Sequence, residues 1–159
     1  MHTIRFYQNT DKEAVIKLIQ LNIPTYFEES EEEDFVDYLE KYKEDYFVIA
    51  DKSTNQIIGC GGINYFFDEN VVGNDTNNGI NLARISWDII DPNFQGQGIG
   101  KKLLLHRINH IQSKNIKIIV VRTSQLAYKF YQKVGFELEK TEKDFWAKGF
   151  DLYQMKMNL

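Results

Sequence analysis

The apolar positions change period along the chain, and those changes predict the elements. Ile4-Arg5-Phe6-Tyr7 alternates and predicts a short strand. Thr10 and Glu13 then form a capping box, with Val15, Leu18 and Ile19 following at helical spacing until Pro24 breaks the helix. Ser30 and Glu33 make a second capping box, and Phe35, Leu39 and Tyr42 give that helix an apolar stripe. Strands are predicted over 46–50 and 57–67, with a polar hairpin turn between them. Gly59, Gly61 and Gly62 in the second of these indicate a bulge or a close backbone approach. The stretch 68–79 is polar and rich in Asn and Gly, and is expected to be a mobile loop. A strand over 82–90 ends in the turn Asp91-Pro92-Asn93. A helix over 98–114 places Gly100, Leu104, Ile108 and Ile111 on one face. The apolar run 116–121 predicts a buried strand. A helix over 125–134 is expected to bury Leu126, Ala127, Phe130, Tyr131 and Val134, with Gly135 as its stop. Strands over 136–141 and 151–157 close the chain.

The resulting order is β-α-α-β-β-β-α-β-α-β-β. Strand meanders mixed with strand-helix-strand crossovers imply an α/β (α+β) class, with a mixed sheet flanked by helices. The 159 residues show no repeat and no dividing linker, so one domain over 1–159 is expected. A net charge of -4 disfavours general nucleic-acid binding, which depends on neutralising phosphates. One cysteine, Cys60, excludes an internal disulfide and reads as a small core residue. The N-terminus has no apolar run like a signal peptide, and no stretch is long enough to span a membrane. A cytoplasmic protein acting without membrane or nucleic acid is the expectation.

The chemistry concentrates in Trp87-Asp88-Ile89-Ile90 and the turn Gln95-Gly96-Gln97-Gly98-Ile99-Gly100-Lys101-Lys102. A strand runs into a glycine-rich turn that opens a helix. Free N–H groups and the helix dipole at such a start attract an anion, and glycines let the backbone approach it closely. Lys101 and Lys102 oppose the helix dipole and make more sense beside a bound anion. A P-loop would need Gly at 95 and Ser or Thr at 102, where Gln and Lys stand. A dinucleotide fingerprint would need a third Gly at 101, where Lys stands.

The pattern Gln-x-x-Gly-x-Gly at Gln95, Gly98 and Gly100 resembles the pyrophosphate-binding signature of the GNAT N-acetyltransferases. The stretch Ala127-Tyr128-Lys129-Phe130-Tyr131-Gln132-Lys133-Val134-Gly135-Phe136 is similar to the family's second motif, a helix ending in Tyr-x-x-x-Gly-Phe. The resemblance runs from about 82 to 136. It implies a single-domain, mixed, mostly antiparallel sheet flanked by helices and splayed between the fourth and fifth strands. It implies acetyl-CoA as co-substrate, with no metal, and an acetyl group transferred directly to a primary amine. Backbone N–H groups from Gln97 to Lys101 would hold the pyrophosphate. The backbone of Asp88, Ile89 and Ile90 would pair with pantetheine. Tyr131 would be the general acid that protonates the leaving thiolate, its phenol being protonated at neutral pH with an ordinary pKa of about 10. Ser124 stands where the family often has Asn, and would cap the helix and bind pantetheine.

Several assignments stay open. Some family members place a glutamate base where Arg84 stands here, and Arg84 has no such capacity. Asp88 is then the first side-chain candidate for the base, beside Glu28, Glu29, Tyr26 and a water relay. The acidic run 28–34 suits either a cationic acceptor or a solvated helix start. His106 and His110 have zinc-like spacing, but Arg107 replaces the Glu of that motif, so surface histidines are expected. The aromatic block 144–153 would wall the acceptor pocket, seal a dimer or pack within its hairpin. A homodimer is an expectation from the fold alone. The competing functions are a non-catalytic acyl-CoA-binding module and an acyltransferase for a longer acyl-CoA.

Overall fold

The computed structural model describes residues 1–68 and 80–159. Among the described residues, seven strands form one sheet in the order β1-β2-β3-β4-β5-β7-β6. They are His2–Phe6 (β1), Asp45–Asp51 (β2), Ile57–Asp68 (β3), Ile80–Ile90 (β4), Ile118–Thr123 (β5), Glu137–Ala147 (β6) and Phe150–Asn158 (β7). The helices are Lys12–Leu21 (α1), Glu31–Asp37 (α2), Ile99–Ser113 (α3) and Tyr128–Val134 (α4). Of the polar stretch 68–79, Asp68 ends β3 and 69–79 lie outside the described residues. The order of elements is the one the sequence predicts, and the sheet is mixed, mostly antiparallel and flanked by helices.

Contacts group the chain into two compact units. The first comprises Met1–Ile63 and Ser86–Ile108. Here β1 and β3 pair antiparallel with β2, and Cys60, Gly61 and Gly62 face Val48, Phe47 and Tyr46 in register. Val15, Leu18 and Ile19 of α1, Phe35 of α2 and Leu39 just beyond it pack on Tyr46, Val48, Cys60 and Ile89. Each large apolar side chain buried this way contributes about 1.5–3 kcal/mol.

Both predicted capping boxes are replaced by other carboxylates. Asn9–Asp11 form a turn of 3-10 helix ahead of α1, so Thr10 is not its N-cap. Asp11 instead accepts the Gln8 amide at 2.8 Å and two bonds from Arg5. Ser30 precedes α2 in helical conformation with no cap bond from its side chain. Glu31 accepts the Glu28 amide at 2.8 Å instead. The apolar stripe of α2 also breaks phase. Residues Tyr38–Tyr42 form a π turn, with Lys43 N–H donating to the Tyr38 carbonyl at 2.8 Å. The extra residue rotates Tyr42 outward, to 66% exposure, while Tyr38 and Leu39 stay buried.

The second unit comprises Asn64–Ile85 and Asn109–Leu159. The parallel ladder between β4 and β5 pairs Ala83, Arg84 and Ile85 with Ile119, Val120 and Val121, and stops there. β4 continues to Ile90, five residues beyond the last of these pairs. β7 lies antiparallel between β5 and β6 and buries Leu152 and Met155. Every β6 residue from Glu137 to Phe145 is exposed. Its Glu and Lys side chains suit a sheet edge, where charge opposes pairing with another chain. The helix predicted over 125–134 starts only at Tyr128 and buries Tyr131 alone. Leu126 is exposed, because 125–127 form a turn in which the Gln125 side chain accepts Asp151 N–H at 2.9 Å and donates to the Gly149 carbonyl at 2.6 Å.

Candidate functional site

Near its end β4 kinks. Trp87 adopts φ 49°, a left-handed conformation that strains a bulky side chain. Its carbonyl accepts the Tyr46 hydroxyl at 2.9 Å. Its ring lies among Phe27, Phe35 and Tyr38, with centroids 5.2–6.2 Å away. On one side of it, Ser86 is hydrogen-bonded to Tyr38. On the other, the Asp88 carboxylate forms an ion pair with Arg107 of α3.

Arg107 is fully buried. Besides Asp88 it reaches the Gly62 carbonyl through Nη1 at 3.1 Å and the Leu103 carbonyl through Nε at 3.3 Å. The close backbone approach that the β3 glycines predict is found here. A Cβ on Gly61 would overlap the Asp88 carboxylate and the Arg107 guanidinium. One on Gly62 would overlap the Tyr46 ring and the Tyr38 hydroxyl. Burial pushes both the Tyr38 and Tyr46 phenols above their ordinary range, so both are neutral donors. Burial also pushes the Cys60 thiol up to about 12, which keeps it protonated as a core residue.

Beyond the kink, Ile90 offers its carbonyl to the Asn22 amide at 3.1 Å. Asp91 N–H donates to the Ile58 carbonyl at 2.8 Å, and the Asp91 carboxylate caps the short 3-10 turn Pro92–Phe94. The glycine turn follows. Gln95, Gly96, Gln97 and Gly98 are all exposed. Gly96 and Gly98 both have φ 78°, and a Cβ on either would meet nothing within 4 Å. Lys102 N–H donates to the Gly98 carbonyl at 3.0 Å, which sets the first turn of α3. Ile99 anchors that turn in the core, Gly100 is half-buried, and Lys101 and Lys102 point to solvent. Tyr26, in the loop between α1 and α2, donates to the Gln95 side chain at 3.3 Å. This part therefore offers open backbone and positive charge to an anion.

Ser124 and Tyr131 belong to the second unit. Ser124 Oγ accepts Leu126 N–H at 3.2 Å, and its carbonyl accepts Tyr128 N–H at 3.0 Å. It thus shapes the turn before α4, but the N-cap is Ala127, so the cap expected at Ser124 is not formed. Tyr131 is buried, edge-on to Phe130 and Phe136, and Gly135 ends the helix at φ 122°. Arg84 lies over the Phe66 ring at 4.8 Å, and burial, then Arg122, depresses its guanidinium pKa. Within the aromatic block, Trp146 donates to the Thr123 carbonyl at 3.1 Å, Arg122 lies over Phe145 at 4.9 Å, and Tyr128 stacks near Tyr153 at 4.5 Å. Packing of the hairpin onto the end of β5 accounts for these side chains. His106 is exposed and edge-on to Phe47 at 5.0 Å.

Sequence reasoning gathered Asp88 through Lys101 in one region, and the first unit holds them together. It missed Arg107, Tyr46 and Tyr38. Arg107 carried a readable signal: helical spacing puts it on the apolar face with Leu103, Leu104, Ile108 and Ile111. A charged side chain there needs a buried partner.

Known proteins resemble this chain in parts of the sequence and in the fold. Among curated relatives, the ribosomal protein bS18-alanine N-acetyltransferase of Haemophilus ducreyi is 37% identical over 60 residues, covering 36% of this chain and 41% of its own. The histone acetyltransferase TAP1 of Glycine max is 31% identical over 77 residues, covering 42% and 33%. The chain thus spans less than half the length of the curated relatives it matches. Among solved structures, the S18-alanine N-acetyltransferase of Escherichia coli superposes with a TM-score of 0.74 at 18% identity, covering 99% of this chain and 94% of that one. The Salmonella typhimurium protein yncA, solved with its cofactor acetyl-CoA, gives 0.67 at 15% identity, covering 100% and 94%. Likeness at such identity speaks to the fold. The model of the acetyltransferase (GNAT) domain matches residues 43–138, more than half of the chain, and the chain belongs to that family.

Proposed function

We propose that residues 1–159 act as one N-acetyltransferase domain that moves an acetyl group from acetyl-CoA to a primary amine. The observation that carries this reading is the turn Gln95–Gly98, whose two left-handed glycines leave the backbone open on the solvent side of a helix start. A diphosphate suits this turn, with N–H groups from Gln97 to Lys101 as donors and Lys101 and Lys102 beside them. The backbone at Asp88, Ile89 and Ile90 is assigned to the amides of pantetheine, as an added strand would pair. A similar fold has been solved with acetyl-CoA, which supports that donor.

Acetyl-CoA supplies an acetyl group activated as a thioester. The chain's own part is to bind, orient and move protons. Tyr131, matched to the family's second motif, is assigned as the proton donor to the departing sulfur. Ser124 shapes the turn ahead of that helix. No side chain is assigned as the base; a water relay takes the amine proton in this reading. Peptide N-termini enter the acceptor panel because relatives act on the alanine of a ribosomal protein.

The test is calorimetric titration of the protein with acetyl-CoA, beside a Gly98→Glu variant. Binding in the micromolar range, about -8 kcal/mol, is expected for the wild type and is lost in a folded variant. A panel of peptide, polyamine, aminoglycoside and amino-acid amines then reads turnover. Binding without turnover on any amine would point to a non-catalytic acyl-CoA-binding module. Faster turnover with longer acyl chains would change the donor.

A further inference from the structure

The kink at Ser86-Trp87-Asp88 is held at every residue, and each holder comes from a different element. Tyr38 of the π turn bonds Ser86, Tyr46 of β2 bonds the Trp87 carbonyl, and Arg107 of α3 pairs with Asp88. Left-handed backbone at a tryptophan persists only where its surroundings over-determine it. Room for the holders is made by Gly61 and Gly62, where any Cβ would displace them. Arg107 has a second relevance. It lies two helical turns beyond Ile99, on the same helix that the glycine turn opens. The pair with Asp88 therefore ties the strand end to the helix that begins at the glycines. Buried ion pairs are weak contributors to stability, since apolar residues of like volume often serve as well. A fully buried arginine at this point fits a geometric duty better than a stabilising one.

We infer that Arg107 and Tyr46 are positioning residues of the acetyl-CoA site, and that Asp88 serves as the anchor for Arg107 rather than as the proton acceptor. This rests on the acetyltransferase reading above. By fixing the kink, they set the line of the Asp88–Ile90 backbone relative to the start of α3, both of which the donor must meet at once. Tyr46 fixes the peptide before Asp88, and Arg107 fixes its side chain.

Three variants test this: Tyr46→Phe, Arg107→Met, and the double variant Asp88→Leu with Arg107→Met. Circular dichroism and thermal melting first establish that each is folded. Calorimetry then reads acetyl-CoA affinity, and steady-state rates separate kcat from the KM of the amine. In Arg107→Met, acetyl-CoA affinity and kcat each fall about tenfold or more, while the amine KM moves less than about twofold. Tyr46→Phe, which removes one oxygen and keeps the ring, shows the same split at about threefold. The double variant regains stability, because no charge is left without a partner, but not acetyl-CoA affinity, because the strand end is still untied from α3. A double variant that is folded and binds acetyl-CoA like wild type, yet does not turn over, would overturn the inference and make Asp88 the proton acceptor. Wild-type affinity and kcat in both Tyr46→Phe and Arg107→Met would overturn it as well. Tyr46→Phe decides the matter if the arginine variants do not fold. Failure of the wild type itself to bind acetyl-CoA would instead remove the acetyltransferase reading, and this assignment with it.

Discussion

Ser86, Trp87 and Asp88 each meet a partner that another element supplies, whereas a few residues later Gly96 and Gly98 face open space. Both places use left-handed backbone, with φ 49° at Trp87 and 78° at the two glycines. At the tryptophan the conformation opposes the residue type, and packing with hydrogen bonds holds it. At the glycines it suits the residue type, and nothing nearby is needed. The strand end is thus shaped by long-range contacts, and the turn by local chemistry. A site of this kind combines a braced edge with a bare one, and the bare one is free to meet a ligand.

Substitutions on the two sides should therefore fail for different reasons. The largest effect is expected at the braced side. Arg107→Met leaves Asp88 without its cation and costs about 3–5 kcal/mol of stability, read as a lower denaturant midpoint at unchanged slope. A loss below about 1 kcal/mol would mean that the brace carries little strain. At the bare side, Gly98→Ala meets no clash but keeps the left-handed φ, so about 1–2 kcal/mol is expected from backbone strain. A larger loss would show that the turn has hidden packing. Tyr46→Phe should cost about 1 kcal/mol, the net worth of one hydrogen bond. The smallest effect tests a site remote from both. The Arg5 guanidinium, bonded to both Asp11 oxygens at 2.8 and 2.9 Å, holds that carboxyl below the usual carboxylate range. Its contribution is full above the unfolded value of about 3.9 and is lost as pH falls through the lower native value. Asp11→Asn should cost roughly 0.5–1 kcal/mol at pH 7, and the difference from wild type should shrink in acid. A constant difference down to pH 2 would remove the ionic part of the argument.

The same division explains what was legible in the sequence. The order of elements followed from local periodicity, and the glycine turn from residue types in one short run. The capping boxes at Thr10 and Ser30 were misread because the carboxylate bonds form two residues earlier, where Asp11 and Glu31 accept the Gln8 and Glu28 amides. Local sequence offers both candidates, and Arg5 decides for Asp11 through a contact made in the tertiary fold. The stripe through Tyr42 failed because a π turn changes the helical phase without a signal in residue type. The start of α4 was placed early because Gln125 is engaged by Gly149 and Asp151, far along the chain. Asp88 was noticed as an acid in the right strand, but its partner Arg107 stands on another element. Only the glycines of β3 hinted at that meeting, by marking where the backbone is approached closely.

The π turn at Tyr38–Tyr42 also bears on how this chain tolerates changes in length. An i→i+5 turn holds one residue more than an α-helix needs. Deleting Glu40 or Lys41 would close an α turn and leave the elements on either side in their places. The strand that follows, β2, is buried on both faces from Tyr46 to Ala50, so a shift of the chain by one would set Phe47 and Ile49 against the partners of Tyr46 and Val48. The spare residue works as a vernier between two rulers of different pitch, taking up a change in length before it reaches the strand.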